Sequence, residues 1–206
     1  MDIFENQAAS YDAWFRENPC LFMAELSAVK KVLPNFENAV EIGAGTGMFS
    51  SELGIETGVE PSASMGAAAK SRGINIIEGT AEDLPLKDHA YDLALMVTAD
   101  CFLTDIEKAF REIYRILTDR GSFVIAFLDR NTKLGAQYEE FKNEDPVYRY
   151  ASFHSSAEIC AMLQKTGFDV AEKQQTVMTL KNEEQPVTAG NGDGVFAVIR
   201  AEKSAT

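Results

Sequence analysis

The sequence predicts an α/β domain built on a largely parallel sheet. Three observations predict it. Short apolar runs alternate with stretches of helical periodicity along most of the 206 residues. A bare-backbone cluster, Gly43-Ala44-Gly45-Thr46-Gly47, directly follows the first of those runs. Toward the end, two β-like runs at 170–180 and 195–201 flank the turn-forming Asn191-Gly192-Asp193-Gly194.

Each element has a local reason. Residues 20–33 carry apolar side chains at helical spacing and stop before Pro34. Residues 39–42, AVEI, read as a buried strand, and a helix starts near Met48. TGVE (57–60) ends a second strand, followed by a helix that Pro61 and Ser62 start and Gly73 stops. INII (74–77) and YDLALMVT (91–98) are the third and fourth strands. Residues 105–121 form an amphipathic helix with Ile106, Phe110, Ile113 and Leu117 on one face, leading into a strand at 122–128. Ser155 and Glu158 make an S-x-x-E capping box for a last helix. Residues 129–153 break the alternation: they are polar yet hold Tyr138, Phe141, Tyr148, Tyr150 and Phe153. They read either as a helical excursion packing its aromatics on the body or as the lid or wall of a pocket.

Composition narrows the function. Hydrophobic residues at 46% and charged residues at 25% suit a globular domain, with one domain expected over 1–206. The net charge of −13 repels phosphate backbones, so no nucleic-acid partner is expected. Cys20, Cys101 and Cys160 are scattered and odd in number, which argues against a disulfide framework or a structural zinc. The acidic start is neither a signal peptide nor a membrane span, so a cytoplasmic protein without a membrane partner is expected.

The glycine cluster lets a ligand approach the backbone. Its spacing is G-x-G-x-G with Met48 at the third fingerprint position, which departs from the dinucleotide G-x-G-x-x-G, and no G-K-[ST] follows. Glu60, at the end of the second strand, is placed to accept hydrogen bonds from both hydroxyls of a ribose. EGTAEDLPL (78–86) follows the third strand.

Taken in order, VEIGAGTG, GVEPSASM, GTAEDLPLKDHAYDLALMV and AFREIYRILTDRGSFVIA resemble a class I S-adenosylmethionine-dependent methyltransferase of the small-molecule, type 11 branch, over roughly residues 38–128. The resemblance implies a Rossmann-like seven-stranded sheet of order 3-2-1-4-5-7-6, with the last strand antiparallel and helices on both faces. It implies S-adenosylmethionine as cofactor and S-adenosylhomocysteine as product. By position, Glu41 orients the amino-acid end, and Gly43, Ala44, Gly45, Thr46 and Gly47 pass beneath it. Glu60 takes the ribose hydroxyls, with Pro61, Ser62 and Met65 beside the adenine. Thr80, Ala81 and Glu82 border the adenine edge, and Thr98 and Ala99 lie under the sulfonium. Thr80 stands where the family often has Asp, so the resemblance implies an adenine amino contact that either shifts to Glu82 or Asp83 or weakens. Residues 1–34 become an N-terminal helical cap and 129–153 an insert over the pocket.

The acceptor is expected to be a small organic molecule. Methyl transfer from a sulfonium needs alignment and exclusion of water more than a dedicated acid or base. No motif therefore names a catalytic residue; the candidates are Tyr11 in the cap, Asp100 after the fourth strand and His154 before the capping box. Cys101 lacks the proline context of a cytosine-C5 nucleophile, and His89 sits in a solvated turn. Asp100, Asp129 and Asn131 only loosely mimic a metal set, and no metal is expected. A non-catalytic S-adenosylmethionine-binding protein and, below it, an NAD(P)-dependent oxidoreductase are the alternative readings.

Overall fold

The computed structural model describes residues 4–204. One sheet carries eight strands: β1 (Ala39–Ile42), β2 (Thr57–Val59), β3 (Asn75–Ile77), β4 (Tyr91–Val97), β5 (Leu117–Leu128), β6 (Phe168–Thr176), β7 (Thr188–Ala189) and β8 (Phe196–Lys203). Their order is β3-β2-β1-β4-β5-β8-β6-β7. Neighbours from β3 through β5 are parallel, and β8 runs antiparallel to both β5 and β6. The expected order is thus present, with one correction. An eighth, two-residue strand, β7, pairs with β6 at the edge, because the chain after β6 doubles back before reaching β8.

The helices are α1 (Ala8–Glu17), α2 (Pro19–Val32), α3 (Met48–Leu53), α4 (Ala63–Ser71), α5 (Ile106–Ile116), α6 (Lys133–Phe141) and α7 (Ser156–Lys165). α2 ends where Leu33, preceding Pro34, turns extended (φ −63°, ψ 127°). α7 has the complete Ser155/Glu158 capping box. α5 is shorter than its periodicity predicts. The carbonyls of Arg115 and Ile116 accept the amides of His89 and Ala90 at 3.0 and 2.8 Å, so the chain leaves the helix at Leu117 and enters β5 through a register shift. Tertiary hydrogen bonding overrides helical propensity there.

Side-chain alternation splits the core between the two faces of the sheet. Leu93, Leu95 and Val97 of β4 join Val124 and Ala126 of β5 and the buried face of α2. Ala94 and Met96 join Phe123, Ile125 and Phe127 against α5 and α7. Glu41 lies between Val40 and Ile42, which face the α5 side, and so it points to the α3 side. All strands from β1 to β5 deliver their carboxyl ends to one edge, where loops gather.

Candidate active site

The turn after β1 is built from three left-handed glycines, with φ of +73°, +55° and +76° at Gly43, Gly45 and Gly47. Gly43 cannot carry a side chain: a Cβ there would lie 2.7 Å from the Cβ of Ala99. The loop thus packs directly on the chain leaving β4. That chain bends sharply at Thr98, a β-branched residue at φ +49°. Its amide is held by Ala126 O at 2.8 Å, and strain of this kind gathers at functional sites.

Two carboxylates lock the loop. Glu41, nearly fully buried, accepts the amide of Ser50 at 3.0 Å and also the Ser50 hydroxyl. A strand carboxylate therefore satisfies a free N–H in the first turn of α3. Burial pushes Glu41 up to about 8, with the Ser50 bonds opposing the shift. Glu60 accepts Gly45 N and Ser62 N, each at 2.8 Å. Thr46, Ser62 and Met65 are buried, Ala44 and Ala81 nearly so, while Pro61 and Thr80 are exposed.

The 78–88 segment is held from α5. Glu112 accepts Leu84 N at 2.9 Å, and Arg115 donates to Leu84 O at 2.9 Å and to Leu86 O at 2.8 Å. Glu82 Oε1 accepts the amides of Thr104 at 2.8 Å and Asp105 at 3.4 Å, which ties this segment to the start of α5. That oxygen is occupied by backbone; Asp83 is exposed.

Tyr11, on α1, arches over the glycine loop. A Cβ on Gly45 would lie 3.7 Å from Tyr11 Cε1. Burial, then the nearby carboxylates of Glu41, Glu25 and Glu60, hold the Tyr11 phenol far above its usual range, so it stays protonated. Arg72 fixes α1 in place, reaching Asp12 at 2.5 Å and Thr46 O at 2.9 Å.

The insert supplies an aromatic wall. Tyr138 and Tyr148 meet edge to face at 5.6 Å, and each contacts Phe153, at 6.0 and 5.5 Å. Phe141 and Tyr150 instead face solvent, so the aromatics divide between wall and surface.

Asp100 and His154 meet: Asp100 Oδ2 lies 3.0 Å from His154 Nδ1. Asp100 Oδ1 is sealed with no partner among the described residues, and burial raises the carboxyl despite the histidine. Cys101 is buried beside Asp100, and burial pushes its thiol well up, leaving no thiolate nucleophile. Asp129 is occupied with capping: it accepts Asn131 N at 2.9 Å and Ser156 N at 3.2 Å. Among the described residues no cluster suits a metal ion, and no helix is long and apolar enough to cross a membrane. His89 is exposed, as its turn suggests.

The sequence reading missed Ser50, Arg72, Arg115, Glu112 and Glu25. Only Glu25 left a signal, an acid in the middle of an apolar helical stripe.

A parallel sheet whose first strand ends in a left-handed glycine turn and whose second ends in a carboxylate bound to that turn defines a nucleoside-binding α/β domain. Comparison with known proteins narrows the class. A family described as a methyltransferase domain matches residues 40–125. An uncharacterized protein of Methanocaldococcus jannaschii is 37% identical over 205 residues, spanning 98% of this chain and 100% of its own. The crystal structure of a SAM-dependent methyltransferase from Thermotoga maritima, described as a possible histamine N-methyltransferase, is 42% identical. It matches with a TM-score of 0.94 over 98% of this chain and 99% of its own. A malonyl-[acyl-carrier protein] O-methyltransferase of Geobacter sulfurreducens is 28% identical over 185 residues, 82% of this chain and 69% of its own. The chain belongs to the class I S-adenosylmethionine-dependent methyltransferases, and its cofactor is S-adenosylmethionine.

Proposed function

We propose that this methyltransferase acts on a small organic acceptor held between α1, α2 and the 129–153 insert, by in-line displacement at the methyl carbon. The observation that carries the proposal is Tyr11, which stands over the glycine loop and packs on the same core cluster as the insert's Tyr138 and Tyr148. When bound, S-adenosylmethionine supplies a methyl activated as a sulfonium. The acceptor's lone pair forms the new bond while the carbon–sulfur pair departs on sulfur as a neutral thioether.

The residues present fit that cofactor. Glu60 ends β2 with its carboxylate turned to the glycine loop and the start of α4, where it meets the ribose hydroxyls. Gly43 to Gly47 lie beneath the amino-acid end, and Thr98 and Ala99 form the floor under the reacting methyl. Pro61, Ser62, Met65, Thr80, Ala81 and Glu82 surround the adenine. Tyr11, protonated and partly buried, shields the methyl from water without removing a proton. Asp100 and His154 are the pair available to accept a proton where the acceptor carries one.

Incubation of a cell extract with the enzyme and methyl-labelled cofactor, followed by ultrafiltration, tests the acceptor class. Label in the filtrate, matched by S-adenosylhomocysteine, is expected. Label retained on protein or nucleic acid would overturn the small-molecule reading. Calorimetry adds the binding test: Glu60→Ala should weaken S-adenosylhomocysteine binding, and unchanged affinity would remove Glu60 from the site.

A further inference from the structure

α2 buries Leu21, Phe22, Ala28 and Val29. Glu25 sits three or four residues from each of them, in the middle of that stripe, where an apolar side chain belongs. The side chain is partly buried, and its carboxyl has no hydrogen-bond or ion-pair partner among the described residues. Unlike Asp100 Oδ1, its oxygens are not sealed off.

Tyr11, Tyr138 and Tyr148 pack against the same core cluster that takes the buried face of α2, and all three phenols lie within electrostatic range of the carboxyl. They come from α1, from α6 and from the short 148–150 helical turn, so the cluster exists only in the folded chain. Among the insert's cations, Lys142 is already committed. Lys142 Nζ pairs with Glu139 at 2.6 Å, donates to Ala151 O at 3.1 Å, and stands 6.0 Å from the Phe153 ring.

Burial alone pushes Glu25 up to about 8, so the carboxyl is held against its own ionisation. A leucine at this point would pack better and cost less, which makes a purely structural role unfavourable. A carboxyl in an aromatic neighbourhood suits a small organic cation, through charge pairing with the carboxylate. An anionic acceptor would instead meet the Glu25 carboxyl.

We infer that Glu25 is a specificity residue for the methyl acceptor, receiving a protonated nitrogen among Tyr11, Tyr138 and Tyr148. This assignment rests on the small-acceptor reading above. Tyr11 also stands over the glycine loop, so the cation site adjoins the cofactor's end of the pocket. The nitrogen that Glu25 holds anchors the molecule and need not be the atom methylated.

Calorimetry on the full chain saturated with S-adenosylhomocysteine tests the inference. The probes are two matched series: phenethylamine, 2-phenylethanol and 3-phenylpropionate, then butylamine, butanol and butyrate. The amines should bind at least about tenfold tighter than the alcohols, and the acids weakest. Glu25→Gln should remove the amine preference and Glu25→Asp retain part of it, both keeping S-adenosylhomocysteine affinity within about twofold. Amines that bind no better than alcohols, including no binding by either, overturn the assignment. So does a preference that persists in Glu25→Gln. Failure of S-adenosylhomocysteine itself to bind would instead overturn the methyltransferase reading.

Discussion

Gly43→Ala tests the loop geometry most directly. The substitution meets two separate obstacles. The first is conformational: at φ +73°, an alanine pays about 1–2 kcal/mol for the left-handed region. The second is steric. The new Cβ would stand 2.7 Å from Ala99 Cβ, whereas carbon atoms prefer about 3.5–4.0 Å. Neither side yields easily, because Gly43 N is bonded to Val59 O and Thr98 N to Ala126 O, each at 2.8 Å. Overpacking of this kind adds about 1–3 kcal/mol. Gly54→Ala isolates the first obstacle, since Gly54 has φ +72° and an added Cβ there would meet no atom within 4 Å. In urea denaturation, Gly54→Ala should therefore cost about 1–2 kcal/mol and Gly43→Ala about 2–5 kcal/mol. In a thermal scan each kcal/mol lowers Tm by about 2–4 °C for a chain this long. Gly43→Ala should also weaken S-adenosylhomocysteine binding by about tenfold, because the loop and the floor at Ala99 must separate. Equal destabilisation by the two substitutions would refute the claim that the loop rests on Ala99.

Two further predictions concern the residues that hold the site. Glu41 is raised to about 8 in the folded chain, above its unfolded value near 4.3. Its contribution to stability is therefore full below the unfolded value and is lost as pH rises toward 8. Glu41→Gln should lose that part of the pH dependence, gaining stability relative to the parent by up to about 1.4 kcal/mol per pH unit between pH 5 and 8. Parallel stability–pH curves for the two proteins would show that Glu41 is not held this way. Arg115→Met removes the donors to Leu84 O and Leu86 O and should cost about 1–3 kcal/mol. Hydrogen exchange over residues 80–88 should accelerate and S-adenosylhomocysteine affinity fall; unchanged protection there would mean that Arg115 does not hold the adenine-side segment.

Much of the fold is readable locally. β1, β2, β3 and β4 lie where four apolar runs stand, and α7 begins at its capping box. The errors fall where distant hydrogen bonds decide. α5 stops at Ile116 because residues 89 and 90 take its last carbonyls, and a pattern confined to the helix contains no trace of those partners. β7 escapes notice because two exposed residues carry no periodicity.

The site divides in the same way. Gly43, Gly45 and Gly47 announce a left-handed turn after a strand, because only glycine adopts that backbone cheaply, and Glu60 follows from its place at a strand end. Tyr11, Asp100 and His154 were visible as reactive residue types, but not as neighbours. Asp100 and His154 meet across 54 residues of chain.

By itself the sequence determined the alternation of strands and helices, the ligand-approaching turn after β1 and the family to which the chain belongs. These rest on periodicity and on backbone preference, which are properties of short stretches. Only the tertiary structure decided which side chains share a space. α1, α2 and the insert, far apart along the chain, pack on one core cluster, and that shared packing turns Glu25 from an anomaly in a helix into a carboxyl in the neighbourhood of three tyrosines.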